Sequence, residues 1–93
     1  MKKKETVVMQ NEYIDALTKN LHILRTATNM TQVRLANKIG VSRQTIVAIE
    51  TRKRPMPWSL YLAMVLVFEN NEDSHRLLIN FKLFDEEFLK QIT

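Results

Sequence analysis

The stretch Thr31-Gln32-Val33-Arg34-Leu35-Ala36-Asn37-Lys38-Ile39-Gly40-Val41-Ser42-Arg43-Gln44-Thr45-Ile46-Val47-Ala48-Ile49-Glu50 holds two short helical periods on either side of the only glycine in the chain. Thr31 is a good N-cap for a helix over 31–39, with Leu35, Ala36 and Ile39 on its inner face. Gly40 follows at once, where a left-handed residue ends a helix at least cost. Ser42 is a second N-cap and opens a helix over 43–52, with Ile46 and Ile49 inward and Val41 packing from the turn. Ala36 is small where two helices cross closely, and Gly40 permits the tight turn between them. These features together describe a helix-turn-helix, whose second helix stays exposed on one side.

Outward from this pair, Ile14, Leu17, Leu21 and Leu24 recur at three and four and predict a helix over 10–28, with Asn29 as its stop. Ala16, Ile23 and Ala27 form a second, thinner apolar line on it. Lys53-Arg54-Pro55-Met56-Pro57 is a stiff basic connection. Residues 58–69 read as a helix that is apolar almost all round from Leu60 to Phe68, which implies burial on more than one side. Asn70 to Asp73 break it, and two short helices are expected near 74–81 and 86–92, the last capped by Asp85.

The chain is 93 residues long, one domain's worth, with 45% apolar and 26% charged residues, a globular balance. One Gly and two Pro leave little material for hairpin turns. The fold class is therefore all-α, a compact bundle of about five to six helices around a central helix-turn-helix. Cysteine is absent, which excludes disulfides and thiolate metal sites. Three divisions are expected: a basic tail over 1–9, in which Val7-Val8-Met9 offer at most an edge strand; a helix-turn-helix domain over 10–69; and a helical extension over 70–93. No long apolar stretch follows Lys2, Lys3 and Lys4, so no secretory signal is read there, and no run is long enough to span a bilayer. The expected location is the cytoplasm.

Charge is unevenly spread. Residues 1–68 hold eleven Lys/Arg and four Asp/Glu, a net of +7, whereas residues 69–93 hold three and six, a net of −3. A modest total of +4 conceals a basic body and an acidic end, and an anionic partner would meet the body first.

The run Gly40-Val41-Ser42-Arg43-Gln44-Thr45-Ile46, the pair Ile49-Glu50, Leu24-Arg25 and Leu35-Ala36 resemble the lambda-repressor-like helix-turn-helix family, also called the XRE family. The resemblance covers about residues 18–69. It implies a bacterial or phage transcriptional regulator that binds duplex DNA, usually as a symmetric dimer on an inverted repeat. It implies that Gln32 holds a phosphate and that Arg43 and Gln44 reach base edges. Thr45, Val47, Ala48 and Thr51 would lie along the groove-facing side or at flanking phosphates, and Arg25 and Glu50 would form a buried structural ion pair.

The residue chemistry agrees with those roles. Arg pairs with O6 and N7 of guanine and Gln with adenine, while Val47 and Ala48 suit the methyl group of thymine. Arg52, Lys53 and Arg54 supply charge where a strand would pass, and Arg34, Ser42 and Thr45 complete the expected backbone contacts with Gln32 and Thr51. Arg34 departs from the family, which often has Glu there, so the capping box of Thr31 lacks its acidic half.

No catalytic constellation is present. Ser42 is explained by capping, His22 and His75 lack partners at ligand spacing, and Glu86 and Glu87 suit the first turn of a helix. No cofactor or metal is expected. Trp58 and Tyr61 read as core or interface packing rather than as stacking platforms. The apolar helix 58–69 has two readings: the C-terminal helices fold over it, or it forms a dimer seam with Phe81, Leu83, Phe84 and Phe88; the favoured expectation is a mixture, in which the extension completes the core and presents an apolar face to a second subunit. The favoured function is a DNA-binding repressor. The rivals are an antitoxin that holds a basic toxin through residues 70–93, and a protein-interaction module that has lost DNA.

Overall fold

The computed structural model describes residues 3–93, with side chains described from Thr6 onward. Six helices follow one another: α1 (Lys3–Ala27), α2 (Gln32–Ile39), α3 (Arg43–Glu50), α4 (Trp58–Glu69), α5 (Glu72–Asn80) and α6 (Glu86–Ile92). No strand occurs among the described residues. The architecture is all-α, with α2 and α3 as the helix-turn-helix.

Leu17, Leu21 and Leu24 of α1 are fully buried, as their spacing demands. They meet Leu35 and Ala36 of α2, Ile46 and Ile49 of α3, and Tyr61, Met64, Val65 and Phe68 of α4 in one core. The second apolar line of α1 does not behave as expected, because Ile23 is about half exposed. The helix also begins earlier than expected. Residues 3–9 are its first turns, not an extended arm, while Met1 and Lys2 of the expected tail lie outside the described residues. Val7 and Val8 are exposed on it, so β-branching there does not signal a strand.

Four helix ends share one device. Asn29, Gly40, Arg52 and Lys82 all adopt the left-handed conformation, with φ of 54°, 77°, 60° and 58°. At all four the next residue donates its N–H five residues back: Met30 to Arg25, Val41 to Ala36, Lys53 to Ala48 and Leu83 to Leu78, at 2.8 to 3.0 Å. Met30 and Leu83 are buried, so the same turn that satisfies the carbonyls also anchors the next segment. Only one of the four positions is a glycine. A Cβ at Gly40 would meet no atom within 4 Å, so its requirement is a dihedral one.

The starts of α2, α3 and α6 fall where the sequence places them, while α5 begins at Glu72, two residues before the expected 74. Thr31, Ser42, Asn71 and Asp85 each accept a backbone N–H at their helix's first turn. Thr31 caps Arg34 N at 3.0 Å without an acidic partner.

Residues 70–93 close over α4. Trp58 stacks on Tyr61 at 4.8 Å and 7°, and Phe88 lies 5.6 Å from Tyr61 and from Tyr13 of α1. The Tyr61 hydroxyl donates to the Leu83 carbonyl at 2.6 Å, and burial pushes its pKa well above the usual tyrosine value. Burial, with Asp85 beside it, also pushes Tyr13 up to about 12. Leu83 and Phe88 are fully buried within their own chain and are not available as a dimer seam, while Phe81 and Phe84 are half-buried against the same core. Trp58 and Tyr61 are packing residues, since Tyr61 has no exposed surface and Trp58 lies flat against it.

Candidate nucleic-acid interface

The eight residues of α3 divide cleanly by burial. Ile46 and Ile49 point into the core, Arg43 and Gln44 are exposed at the first turn, and Val47 and Ala48 lie half-buried beside them. A helix of this length is about 12 Å long, comparable with the width of the major groove of B-form DNA. Ser42 fixes its start: the hydroxyl accepts Thr45 N–H at 3.2 Å and lies 3.0 Å from Thr45 Oγ1. Both hydroxyls therefore face the same end of α3 as Arg43 and Gln44.

The base of α3 is held to α1. Arg25 donates through Nε to Glu50 Oε2 at 2.5 Å and through Nη2 to Glu50 Oε1 at 2.9 Å, a two-pronged pair with both side chains only 11% exposed. Arg25 Nη1 also donates to the Met30 carbonyl at 3.1 Å, which ties the turn before α2 to the same guanidinium. Burial alone would raise the Glu50 carboxyl, but hydrogen bonds from Arg25 and Gln32 and the guanidinium charge outweigh it and hold the pKa below the usual glutamate range. α3 is thus fixed by one side-chain network reaching α1 and α2.

Gln32 belongs to that network. Its amide Nε2 donates to Glu50 Oε1 at 2.9 Å. The resemblance gave Gln32 a phosphate; in the free protein this donor is already engaged, and Gln32 acts first as a strut between α2 and α3. Arg34 is exposed, but it lines a groove with Met30, Lys38, Leu66 and Asn70, and no residue of α3 takes part in that groove.

Beyond α3 the chain turns through Thr51, Arg52, Lys53 and Arg54, all exposed. Thr51 Oγ1 donates back to the Val47 carbonyl at 2.8 Å, so its hydroxyl proton is committed to the helix end. Arg52 pairs with Asp15 of α1 at 2.9 Å, with both side chains more than half exposed. Arg54 Nη1 lies 3.5 Å from Thr45 Oγ1 and so leans back along α3. Lys53 forms no ion pair among the described residues. The left-handed backbone at Arg52 costs a side chain about 1–2 kcal/mol that glycine would avoid. A cation stands there nonetheless.

The exposed first turn of α3 is thus followed by three consecutive exposed cations, of which Arg54 leans back to Thr45 and Arg52 pairs with α1. This pattern of an outward second helix, braced by the first and followed by a basic turn, is how a helix-turn-helix presents itself to duplex DNA. A family model described as a helix-turn-helix domain matches residues 16–75, well over half of the chain. The chain belongs to the helix-turn-helix domain family. The fold and the family together make it a DNA-binding regulator in type. Comparison with curated proteins and with solved structures gives no significant match. The family match reaches past α4 into α5, so the start of the expected extension is part of the helix-turn-helix domain's span.

Two histidines make polar contacts away from the exposed turn of α3. His75 Nδ1 lies 2.7 Å from Glu69 Oε1, and His22 Nδ1 lies 3.3 Å from Arg25 Nη2. No group of three or more potential metal-ligating side chains occurs among the described residues. No described helix is long and apolar enough to cross a membrane.

Proposed function

We propose that this helix-turn-helix protein is a sequence-specific transcriptional repressor of the lambda-repressor-like type, which binds duplex DNA and acts by occupying an operator. The observation that carries this reading is the exposed pair Arg43 and Gln44 on the first turn of a helix braced by Arg25, Glu50 and Gln32. Two side chains with bidentate hydrogen-bonding ends stand on the turn that enters a groove first. Arg43 and Gln44 read bases, and Val47 and Ala48 add apolar contact to thymine methyl groups. Ser42, Thr45, Thr51, Arg52, Lys53 and Arg54 hold the backbone on either side, with Arg34 and Gln32 as outer contacts. A charged side chain at Arg52, where glycine fits better, supports a role for that charge. The protein performs no chemical step in this reading. Two copies on an inverted repeat would place their reading helices one turn apart, about 34 Å.

Selection of bound sequences from a random duplex library tests the proposal. The expected result is one enriched motif, in two inverted halves, that disappears for the Arg43→Ala/Gln44→Ala variant. Enrichment that survives in the variant, or none at all, overturns it.

A further inference from the structure

The outward face of α3 changes chemistry after one turn. On a helix of about 3.6 residues per turn, Gln44, Val47, Ala48 and Thr51 lie on the side opposite the buried Ile46 and Ile49. Gln44 is polar and exposed, with Arg43 beside it. Val47 and Ala48, one turn further on, have no hydrogen-bonding atom in their side chains, and both are half-buried. The core does not account for them. Neither is part of the buried cluster or of the partly buried apolar side chains that pack against it. The hydroxyl that follows them is committed, because Thr51 Oγ1 donates to the Val47 carbonyl at 2.8 Å. From Val47 to Thr51, no outward side chain has a proton free for a base edge.

An apolar step on a face that meets the major groove has one kind of partner there. The polar atoms of the base edges are hydrogen-bond donors and acceptors, and the apolar feature among them is the methyl group at C5 of thymine. Cytosine carries the same group at the same position once it is methylated at C5. Next to that methyl the two bases differ, since thymine presents O4 and cytosine its N4 amine. Valine and alanine hydrogen-bond to neither. They sense the methyl group and are blind to the atom beside it.

We propose that the second turn of α3 recognises the C5-methyl group itself, so that thymine and 5-methylcytosine are equivalent to it, while uracil and unmethylated cytosine are both poorer. The inference rests on the reading of α3 as the DNA-binding helix and adds the class of base that its second turn accepts. Val47 supplies most of the contact, and the small Ala48 lets the helix approach the groove closely. The first turn then reads a hydrogen-bonding pattern and the second a methylation state. Methylation of a cytosine at that step turns a weaker operator into a stronger one. Occupancy thereby responds to a mark that leaves the base sequence unchanged.

The test starts from the duplex that selection enriches. Each of its thymines is replaced in turn by uracil, which removes one methyl group and nothing else, and binding of the full chain is measured by fluorescence anisotropy. The expected result is a position where uracil weakens binding about fourfold, the transfer value of one buried carbon. At that position the pair is then changed to cytosine and guanine, with and without the C5 methyl. The methylated form should bind about fourfold more tightly than the unmethylated one, the same step as between thymine and uracil. Val47→Ala, which alters a residue outside the core, should keep its thermal melt and shrink both steps to less than about twofold. Uracil without effect at every thymine overturns the proposal, as does a methyl effect seen with thymine and not with cytosine, or one that survives in Val47→Ala. A preferred duplex that is indifferent to methylation overturns this inference alone, whereas a chain that prefers no duplex overturns the reading of α3 and this inference with it.

Discussion

Two arginine–carboxylate pairs join α1 to α3 and the turn behind it, and they are built very differently. Arg25 and Glu50 are nearly buried, share two hydrogen bonds, and recruit Gln32 and the Met30 carbonyl. Arg52 and Asp15 share one contact in the open, with most of each side chain in water. The first pair gives α3 a fixed position relative to the core. The second is a single contact that water and salt can reach from all sides. The same chemistry serves as a brace in one place and as a releasable contact in the other, and burial with partner count makes the difference.

The strongest challenge to this contrast is removal of the brace. Arg25→Ala leaves Glu50 and the Met30 carbonyl short of a cationic donor at a nearly buried site, and should cost about 3 kcal/mol in chemical denaturation. A loss below about 1 kcal/mol would place this pair with exposed ones and remove the distinction. The pH dependence has a definite sign. Glu50 has its folded pKa below its unfolded value, so its contribution is complete above the ordinary carboxylate range and is lost as pH falls through the folded pKa. Thermal melts taken downward from about pH 5 should therefore show falling stability, with a flatter acid limb for Glu50→Gln.

On DNA the contrast sharpens into one between reading and holding. Arg43→Ala should cost about 1–3 kcal/mol at one base pair of the selected site and little on unrelated sequences. Lys53→Ala should weaken all sequences alike and reduce the slope of log affinity against log salt by about one. Equal losses on all sequences for both variants would erase the proposed division of roles.

The smallest expected effects lie at the exposed pair and at the left-handed turns. Asp15→Asn should change folding stability by less than about 1 kcal/mol. It should also tighten DNA binding by freeing Arg52, visible as a steeper salt dependence. Lys82→Gly should stabilise the fold by up to about 1 kcal/mol, since the turn before Leu83 already has the geometry that glycine prefers. Arg52→Gly should show the same gain in folding together with a loss in DNA affinity, which would separate what that residue costs from what it contributes.

The helix-turn-helix was legible because its signals are local. Thr31, Gly40 and Ser42 each act within four residues, and Leu35, Ile46 and Ile49 follow the helical period. The same locality explains the misses. Nothing near Lys3 marks a helix start, and Val7-Val8 imitate a strand, so the first turns of α1 went unread. Gln32 and Glu50 are 18 residues apart and Asp15 and Arg52 are 37 apart, and no periodicity announces such contacts. Leu83 and Phe88 read as apolar, but whether they cover their own core or a neighbour depends on where Tyr13, Trp58 and Tyr61 converge. Arg43 and Gln44 could be named from the sequence as exposed residues on the first turn of α3. The groove lined by Arg34 and Lys38 could not, because half of it comes from α4.

Gly40 has a further consequence for how this sequence can drift. The space around it is empty, so replacement is graded by backbone tolerance and not by size. Asparagine, which already serves at the equivalent turn after α1, should be the accepted neighbour in a saturated library at position 40. Alanine should be rarer and valine rarest, although the Cβ that all three share meets no neighbour there. A substitution table that ranks residues by bulk would order these outcomes wrongly at the one glycine the chain possesses.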